Sequence, residues 1–302
     1  MGTSDEGDEW VDLKRTGIWF HTDALTAAEA ASLVRRVEAL GFGAFWFGEG
    51  FGRDPLVHAA WLLAETSEIV IATGIASIYS RDAVAMVGGA NALAEQSGGR
   101  FLLGLGVSMP PLVEPRGHRF GPPLESMRDY LAAMRACRYA SVPPPDAPPI
   151  VLAALGPKMT ELAARETRGS HPCNVMPEYT LRARERMGPE AWLCVEQKVV
   201  LEVSPSRARK IARAGLALYL AVPHQRRNWS RMGFDESDYR DGGSDRLVDA
   251  LVAWGSAQTI RSRIRAHLDA GATHVCLQPL LPEGVRMPSE EMLAALAPSA
   301  RS

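Results

Sequence analysis

Gly104, Gly106 and Ser108 lie in the stretch RFLLGLGVS, Arg100 to Ser108, where residues that read as a buried strand run into a glycine-rich turn. Such a turn after a strand often cradles a phosphate, because glycine lets backbone N–H groups approach it closely. A dinucleotide fingerprint would need a third glycine at G-x-G-x-x-G and a helix starting at once. That third position is Met109, followed by Pro110 and Pro111, and the dinucleotide reading fails. What remains is a strand end made of small residues. Either a flat ring lies against its backbone, or the glycines relieve crowding inside a closed sheet. Cys137, Cys173, Cys194 and Cys276 are far apart and form no close pair of the kind that a zinc site or a redox motif needs. No metal site is expected, and the thiols read as reduced and cytoplasmic.

Short runs rich in Ile, Val, Phe and Trp alternate with segments of helical period, the pattern of repeated βα units around a parallel sheet. Strands are expected at TGIWF from Thr16, AFWF from Ala44, IVIATGIA from Ile69, FLLGLG from Phe101 and PIVLAAL from Pro149. Three more are expected near GSHPCNV from Gly169, at WLCVEQKVVLEV from Trp192, and at HVCLQ from His274. Eight strands make a (β/α)8 TIM barrel, α/β in class, and the fold expected is that barrel with insertions at its C-terminal face. Helix starts carry their own signals. Thr26 and Glu29 form a capping box closed by Gly41 beyond the helix, and Asp54–Pro55 and Ser204–Pro205 each place a capping side chain before a first-turn proline.

Two segments interrupt the repeat: SMPPLVEPRGHRFGPP after the fourth strand, and VPHQRRNWSRMGFDESDYRDGGSD before the last helices. Both are expected as lids over the barrel mouth, the second with a plain surface loop as its equal alternative. Residues 1–12 read as a loose acidic tail and 13–302 as one domain. A net charge of −2 gives no basic bias toward nucleic acid, and no stretch is apolar for long enough to span a membrane.

The stretch TGIASIYSRDAVAMVGGANALAEQSGGRFLLGLGVS, Thr73 to Ser108, resembles the third strand, helix and fourth strand of the bacterial luciferase-like flavin-dependent oxidoreductases. GEGFGRDP, PRGHRF, VLAALGPKMTELAA, HPCNVMPEYT, GGSDRLVDALVAWG and HLDAGATHVCLQ extend the likeness over nearly the whole chain. More narrowly, the chain is similar to the actinobacterial branch that uses the deazaflavin coenzyme F420, with FMN as the alternative cofactor. The resemblance implies a non-proline cis peptide between Gly74 and Ile75, against which the cofactor ring rests. It also implies contacts from Gly104, Gly106, Val107 and Ser108. On the next strand and helix it implies Ala153, Ala154, Gly156, Pro157, Lys158 and Met159, where a helix N-terminus and a lysine suit a phosphate. His171 would lie near the cofactor's side chain, while Arg116, His118 and Arg119 have either a polyglutamate tail or plain solvent as their partner.

The same resemblance puts Glu49 beside the redox centre as a proton partner, with His21 as a second candidate whose ordinary pKa is near neutrality. The sugar-phosphate dehydrogenases of the family carry a histidine and a glutamate where this chain has Gly50 and Met109, so that acid–base pair is missing. Gln197 is expected to point inward at a substrate carbonyl, and Trp19 and Trp46 to wall the pocket or to be ordinary core. The function expected is hydride transfer between the deazaflavin and a small organic substrate, with an activated alkene or carbonyl preferred. An FMN-dependent monooxygenase and a non-catalytic cofactor-binding barrel are the alternatives, and relatives of this kind imply a homodimer.

Overall fold

Ten strands, all paired in parallel, carry the chain around one ring in a computed structural model that describes residues 13–298. They are β1 (Thr16–Trp19), β2 (Ala44–Phe47), β3 (Val70–Thr73), β4 (Ala76–Ser77) and β5 (Phe101–Gly106). They continue with β6 (Ile150–Leu152), β7 (Gly169–Ser170), β8 (Trp192–Val200), β9 (Val252–Trp254) and β10 (His274–Pro279). The order β10-β1-β2-β3-β5-β6-β7-β8 closes on itself because β8 also pairs with β10, Cys194 to Val199 opposite His274 to Pro279. This is the eight-stranded parallel barrel expected from the sequence. β4 continues β3 beyond a break and pairs with the end of β5. The expected acidic tail lies outside the described residues.

Alternation along the strands separates two cores, because successive side chains point to opposite faces of a sheet. Trp19, Trp46, Ala72, Leu102, Val151, Cys194 and Cys276 fill the barrel interior. Their neighbours Ile18, Phe45, Ile71, Leu103, Leu152, Val195 and Leu277 face the surrounding helices. The helices start where local chemistry allows. Glu29 N–H donates to Thr26 Oγ1 at 3.2 Å and Thr26 N–H to Glu29 Oε2 at 2.7 Å, while Asp54 Oδ1 accepts from Leu56 and Val57 N–H. Ser204 departs from expectation: its side chain caps nothing and meets Ser206 Oγ instead, while its N–H donates to Glu202.

Neither interruption is a bare loop. The first folds into a short helix, Pro110–Val113, and a turn whose Phe120 stacks on Tyr79 at 5.9 Å. The second was expected as a lid or a surface loop, and is a packed lobe. Its helix Pro223–Arg231 and the flanking helices Pro205–Leu220 and Asp245–Leu251 bury Leu216, Trp229, Phe234, Tyr239 and Leu247 in a core of their own. The reason is composition: among its charges the segment carries enough large apolar groups, Trp229 above all, to offset the cost of ordering it. β9 is an element not foreseen, three residues that run alongside the upper end of β8 from Lys198 to Val200.

Candidate active site

The C-terminal ends of the strands form a mouth with two unlike walls. On the side of β2, β3, β5 and β6 the residues are small: Gly48, Gly74, Gly104, Gly106 and Ala153. The Gly74–Ile75 peptide is cis, at the bond the resemblance implied. Trp19 Nε1–H donates to Gly74 O at 2.9 Å, and a Cβ on Gly74 would stand 2.5 Å from that nitrogen. Of the two readings left open for Gly104 and Gly106, relief of crowding is the one that their surroundings in the structure carry. A Cβ on Gly104 would lie 1.9 Å from Thr73 O, and one on Gly106 would lie 2.6 Å from the Ile75 side chain. These glycines make room for the segment that carries the cis bond. Val107 and Ser108 follow at the rim, Ser108 with a left-handed φ of 60° that a serine adopts only under constraint from its surroundings.

Glu49 leaves β2 beside this segment and clamps it. Its N–H donates to Ile75 O at 3.1 Å, and its carboxylate accepts from Ser77 N–H at 2.7 Å and from both terminal nitrogens of Arg81, at 3.1 and 3.0 Å. Arg81 also reaches Asp54 at 2.8 Å, and the Glu49 side chain is almost wholly buried. Expected as a proton partner, Glu49 has both oxygens engaged in holding the segment. Arg116, for which a polyglutamate tail and plain solvent were both open, donates to Gly50 O and lies over the Phe51 ring at 5.5 Å. His118 packs against Tyr79, and Arg119 is exposed.

The opposite wall, from β7, β8, β10 and β1, is polar and titratable. Gln197 is not part of it. Its neighbours Val195 and Val199 belong to the outer core, and in phase with them Gln197 points away from the mouth, donating to Lys198 O and Leu251 O and accepting from His267 Nε2 at 2.9 Å. Its neighbours Glu196 and Lys198 take the inward face, with Lys198 Nζ donating to Glu196 Oε1 at 2.6 Å. Burial tends to strip Lys198 of its proton, but the Glu196 charge outweighs it and the pKa stays above the ordinary lysine value. Tyr219, from the lobe, presents its ring 4.6 Å from the ammonium. Sequence reasoning missed this pair. Its signal was two charges at i and i+2 in a strand, hence on one face.

His171 stacks on Trp46 at 4.4 Å and 12°, deep in the mouth, and Trp46 is core rather than pocket wall, its indole N–H donating to His274 Nε2 at 3.1 Å. His171 Nδ1 faces Cys194 O at 2.8 Å. A carbonyl only accepts, so Nδ1 carries the proton and Nε2 keeps a lone pair. That Nε2 is buried with no partner among the described residues, and a Cβ on Gly74 would be 2.9 Å from it. Burial holds the His171 pKa below the ordinary value, against the pull of Glu196. His21 stands higher, solvent-exposed but within the rim, edge-on to Trp19 at 4.4 Å. The surrounding protein dehydrates it enough to lower its pKa, with Glu196 and Asp23 opposing. Gln278 Oε1, Asn174 Oδ1 and Gln225 Oε1 are further buried acceptors without a partner among the described residues.

Below the small-residue wall, β6 ends at Leu152, and Ala153 and Ala154 lead to the helix Pro157–Glu166. No side chain caps this helix, Gly156 at its start faces open space, and Lys158 is exposed there, while Met159 turns inward and is buried. An uncapped helix N-terminus with a lysine suits an anion, and the cis-peptide wall and the orphaned His171 Nε2 lie deeper in the same mouth. The residues present therefore fit a flat redox cofactor with an anionic tail. A separate cleft of about 350 Å³ lies at the other end of the barrel, among Lys14, Glu38, Gly43, Arg100 and Pro149. It is remote from the strand ends where barrels gather their chemistry.

Comparison with known proteins places these features in a family. Residues 9–274 match the model of the luciferase-like monooxygenases. The chain is 26% identical over 265 residues to a Mycobacterium tuberculosis protein provisionally named a coenzyme F420-dependent oxidoreductase, covering 74% of this chain and 75% of that one. Among solved structures it superposes on the coenzyme F420-dependent tetrahydromethanopterin reductase of Methanopyrus kandleri, with a TM-score of 0.76, 16% identity and coverage of 94% and 97%. It also superposes on the FMN-bound oxygenating component of 3,6-diketocamphane monooxygenase from Pseudomonas putida, with a TM-score of 0.66, 16% identity and coverage of 94% and 96%.

Proposed function

From a chain that belongs to the luciferase-like monooxygenase family, and is thereby an enzyme of the oxidoreductase type, we infer a deazaflavin-dependent hydride transferase. The observation that carries the reading is the division of the mouth, with the small residues Gly48, Gly74, Gly104, Gly106 and Ala153 on one side and titratable groups on the other. The names of the mycobacterial relative and of the Methanopyrus reductase support coenzyme F420 as the cofactor. When bound, such a deazaflavin supplies the hydride or receives it, and the protein supplies position and proton handling.

Residues Gly156 to Met159 and the helix they open hold the anionic tail, with Lys158 adding a full charge. The segment from Gly74 to Ser77, clamped by Glu49 and Arg81, would support the ring. Trp19 fixes Gly74 O and keeps water from the depth of the mouth. His21, at the rim and without a hydrogen bond to any described residue, exchanges protons with solvent. The substrate is a small organic molecule, with an activated alkene or carbonyl the preferred electron acceptor. The protein acts in the cytoplasm, as a homodimer whose contact face includes Val57 and Val84, 72% and 66% exposed on the helices Pro55–Ala64 and Ala83–Ser97.

The test is a parallel fluorescence titration of the apoprotein with coenzyme F420 and with FMN. Tight binding of the deazaflavin with FMN at least about tenfold weaker, a difference of about 1.4 kcal/mol, is the expected result. A preference for FMN would move the assignment to a flavin monooxygenase, the second reading that the FMN-bound structural neighbour supports. Binding of neither would remove the cofactor assignment.

A further inference from the structure

We propose that Glu196 is the group that exchanges a proton with the substrate at the barrel mouth, and that Lys198 is the residue that positions it for this. The proposal rests on the hydride-transfer reading above. Glu196 Oε1 is held by the Lys198 ammonium, whereas Oε2 accepts from no described residue. The two side chains are 4% and 1% exposed. A buried ion pair is weak as a stabilising device, because the desolvation of two charges consumes most of their attraction, and an apolar pair of similar volume commonly does as well. On a strand face that otherwise carries Trp192 and Cys194, an inward Glu–Lys pair is therefore better explained by chemistry than by folding.

The surroundings narrow the role. His21 on β1, His171 and Cys173 after β7, Cys276 on β10 and Tyr219 from the lobe all feel the Glu196 charge. Burial pushes the Cys173 thiol up to about 12 and raises Cys276 as well, so both stay neutral. His171, with Nδ1–H committed to Cys194 O, turns only a lone pair toward the mouth. On this wall Glu196 Oε2 and His171 Nε2 are both acceptors, and the complement to that pair is a ligand O–H or N–H. The substrate class that follows is a hydroxyl or amino compound, or in the reverse direction its carbonyl or imine counterpart.

In the oxidising direction the substrate C–H bond breaks and its electron pair leaves with the hydrogen as hydride to the oxidised deazaflavin. The O–H or N–H pair becomes the new π bond, and the proton passes to Glu196 Oε2. In the reducing direction the hydride returns to carbon, the π pair moves to the heteroatom, and Glu196 supplies the proton. Lys198 stays protonated throughout and acts through its hold on Oε1.

The experiment uses the full chain loaded with reduced coenzyme F420 and follows its single-turnover oxidation by benzaldehyde and by cyclohex-2-enone. Because Glu196→Gln alone leaves Lys198 buried without its partner, the double variant Glu196→Gln/Lys198→Met is made beside it. Expected are unchanged deazaflavin affinity, turnover down about 10²- to 10⁴-fold, and loss of the solvent isotope effect that a transferred proton gives. Lys198→Arg is expected to restore what Lys198→Met loses. Isotope-edited infrared supplies a readout that needs no turnover: a carboxylate band absent from the Glu196 variant is expected to shift when benzyl alcohol is added. Turnover in the double variant equal to wild type, or a band indifferent to the alcohol, overturns the proposal. Failure of the wild type to bind the deazaflavin would instead overturn the reading beneath it, so the two failures are distinct.

Discussion

Three histidines outside the proton chemistry are fixed as neutral rings by what they touch. His274 donates from Nδ1 to Lys14 O and accepts from Trp46, His267 bridges Thr180 and Gln197, and His58 pairs with Thr22. Burial lowers His267 to about 3 and His274 to about 4, and burial with the Arg53 charge lowers His58 to about 4. Their folded-state values lie below the 6.5 of a free histidine, so between these limits the unfolded chain binds more protons than the folded one. Stability is then fully present above about pH 6.5 and is lost as the pH falls toward 4. Each ring contributes a slope of up to about 1.4 kcal/mol per pH unit. Urea unfolding midpoints measured across that interval are expected to fall steadily on acidification, and His267→Asn is expected to flatten the slope by about one histidine's share.

At the scale of elements, the barrel depends on close approach between β3 and β5. Thr73 Oγ1 donates to Gly104 O at 2.8 Å and accepts from Gly104 N–H at 2.9 Å, which leaves no space for a side chain at Gly104. Gly104→Ala is expected to destabilise the protein by about 1–3 kcal/mol as the strands are forced apart. Thermal unfolding and deazaflavin titration would register the change together, because the displaced segment is the proposed support of the ring. Most strands were legible, because alternation and capping act locally: AFWF and FLLGLG became β2 and β5 residue for residue. The pairing of Glu196 with Lys198 was legible in principle, since Leu193, Val195 and Val199 set the outward phase and leave 196 and 198 inside. Gln197 was read in the opposite phase because its polarity drew attention to chemistry before register. The clamp at Glu49 was not legible, since Arg81 lies 32 residues on and only the closed sheet brings it near. The lobe around Trp229 was hidden by its charges, which coat a core that the linear sequence does not display.

At the scale of the whole molecule, exposed apolar residues occur from Phe51 to Val285, and three of them sit on two neighbouring helices. Val57 and Trp61, one turn apart on the helix Pro55–Ala64, and Val84 on the adjacent helix are exposed on the same side of the barrel. For the homodimer proposed above, Val57→Asp together with Val84→Asp is expected to give a monomer in sedimentation velocity while leaving the fold intact, as surface changes usually do. The closure of the ring has a further consequence, for the order in which the protein is made. Thr16 pairs with Val275, so β1 emerges from the ribosome some 250 residues ahead of its second neighbour. At about 5–20 residues per second the interval is on the order of tens of seconds. Until β10 arrives, β1 presents an open strand edge to the rest of the cell, which is the condition in which strands pair with the wrong partner. The ring therefore closes only after its last strand has left the tunnel, so the barrel is completed after synthesis rather than during it.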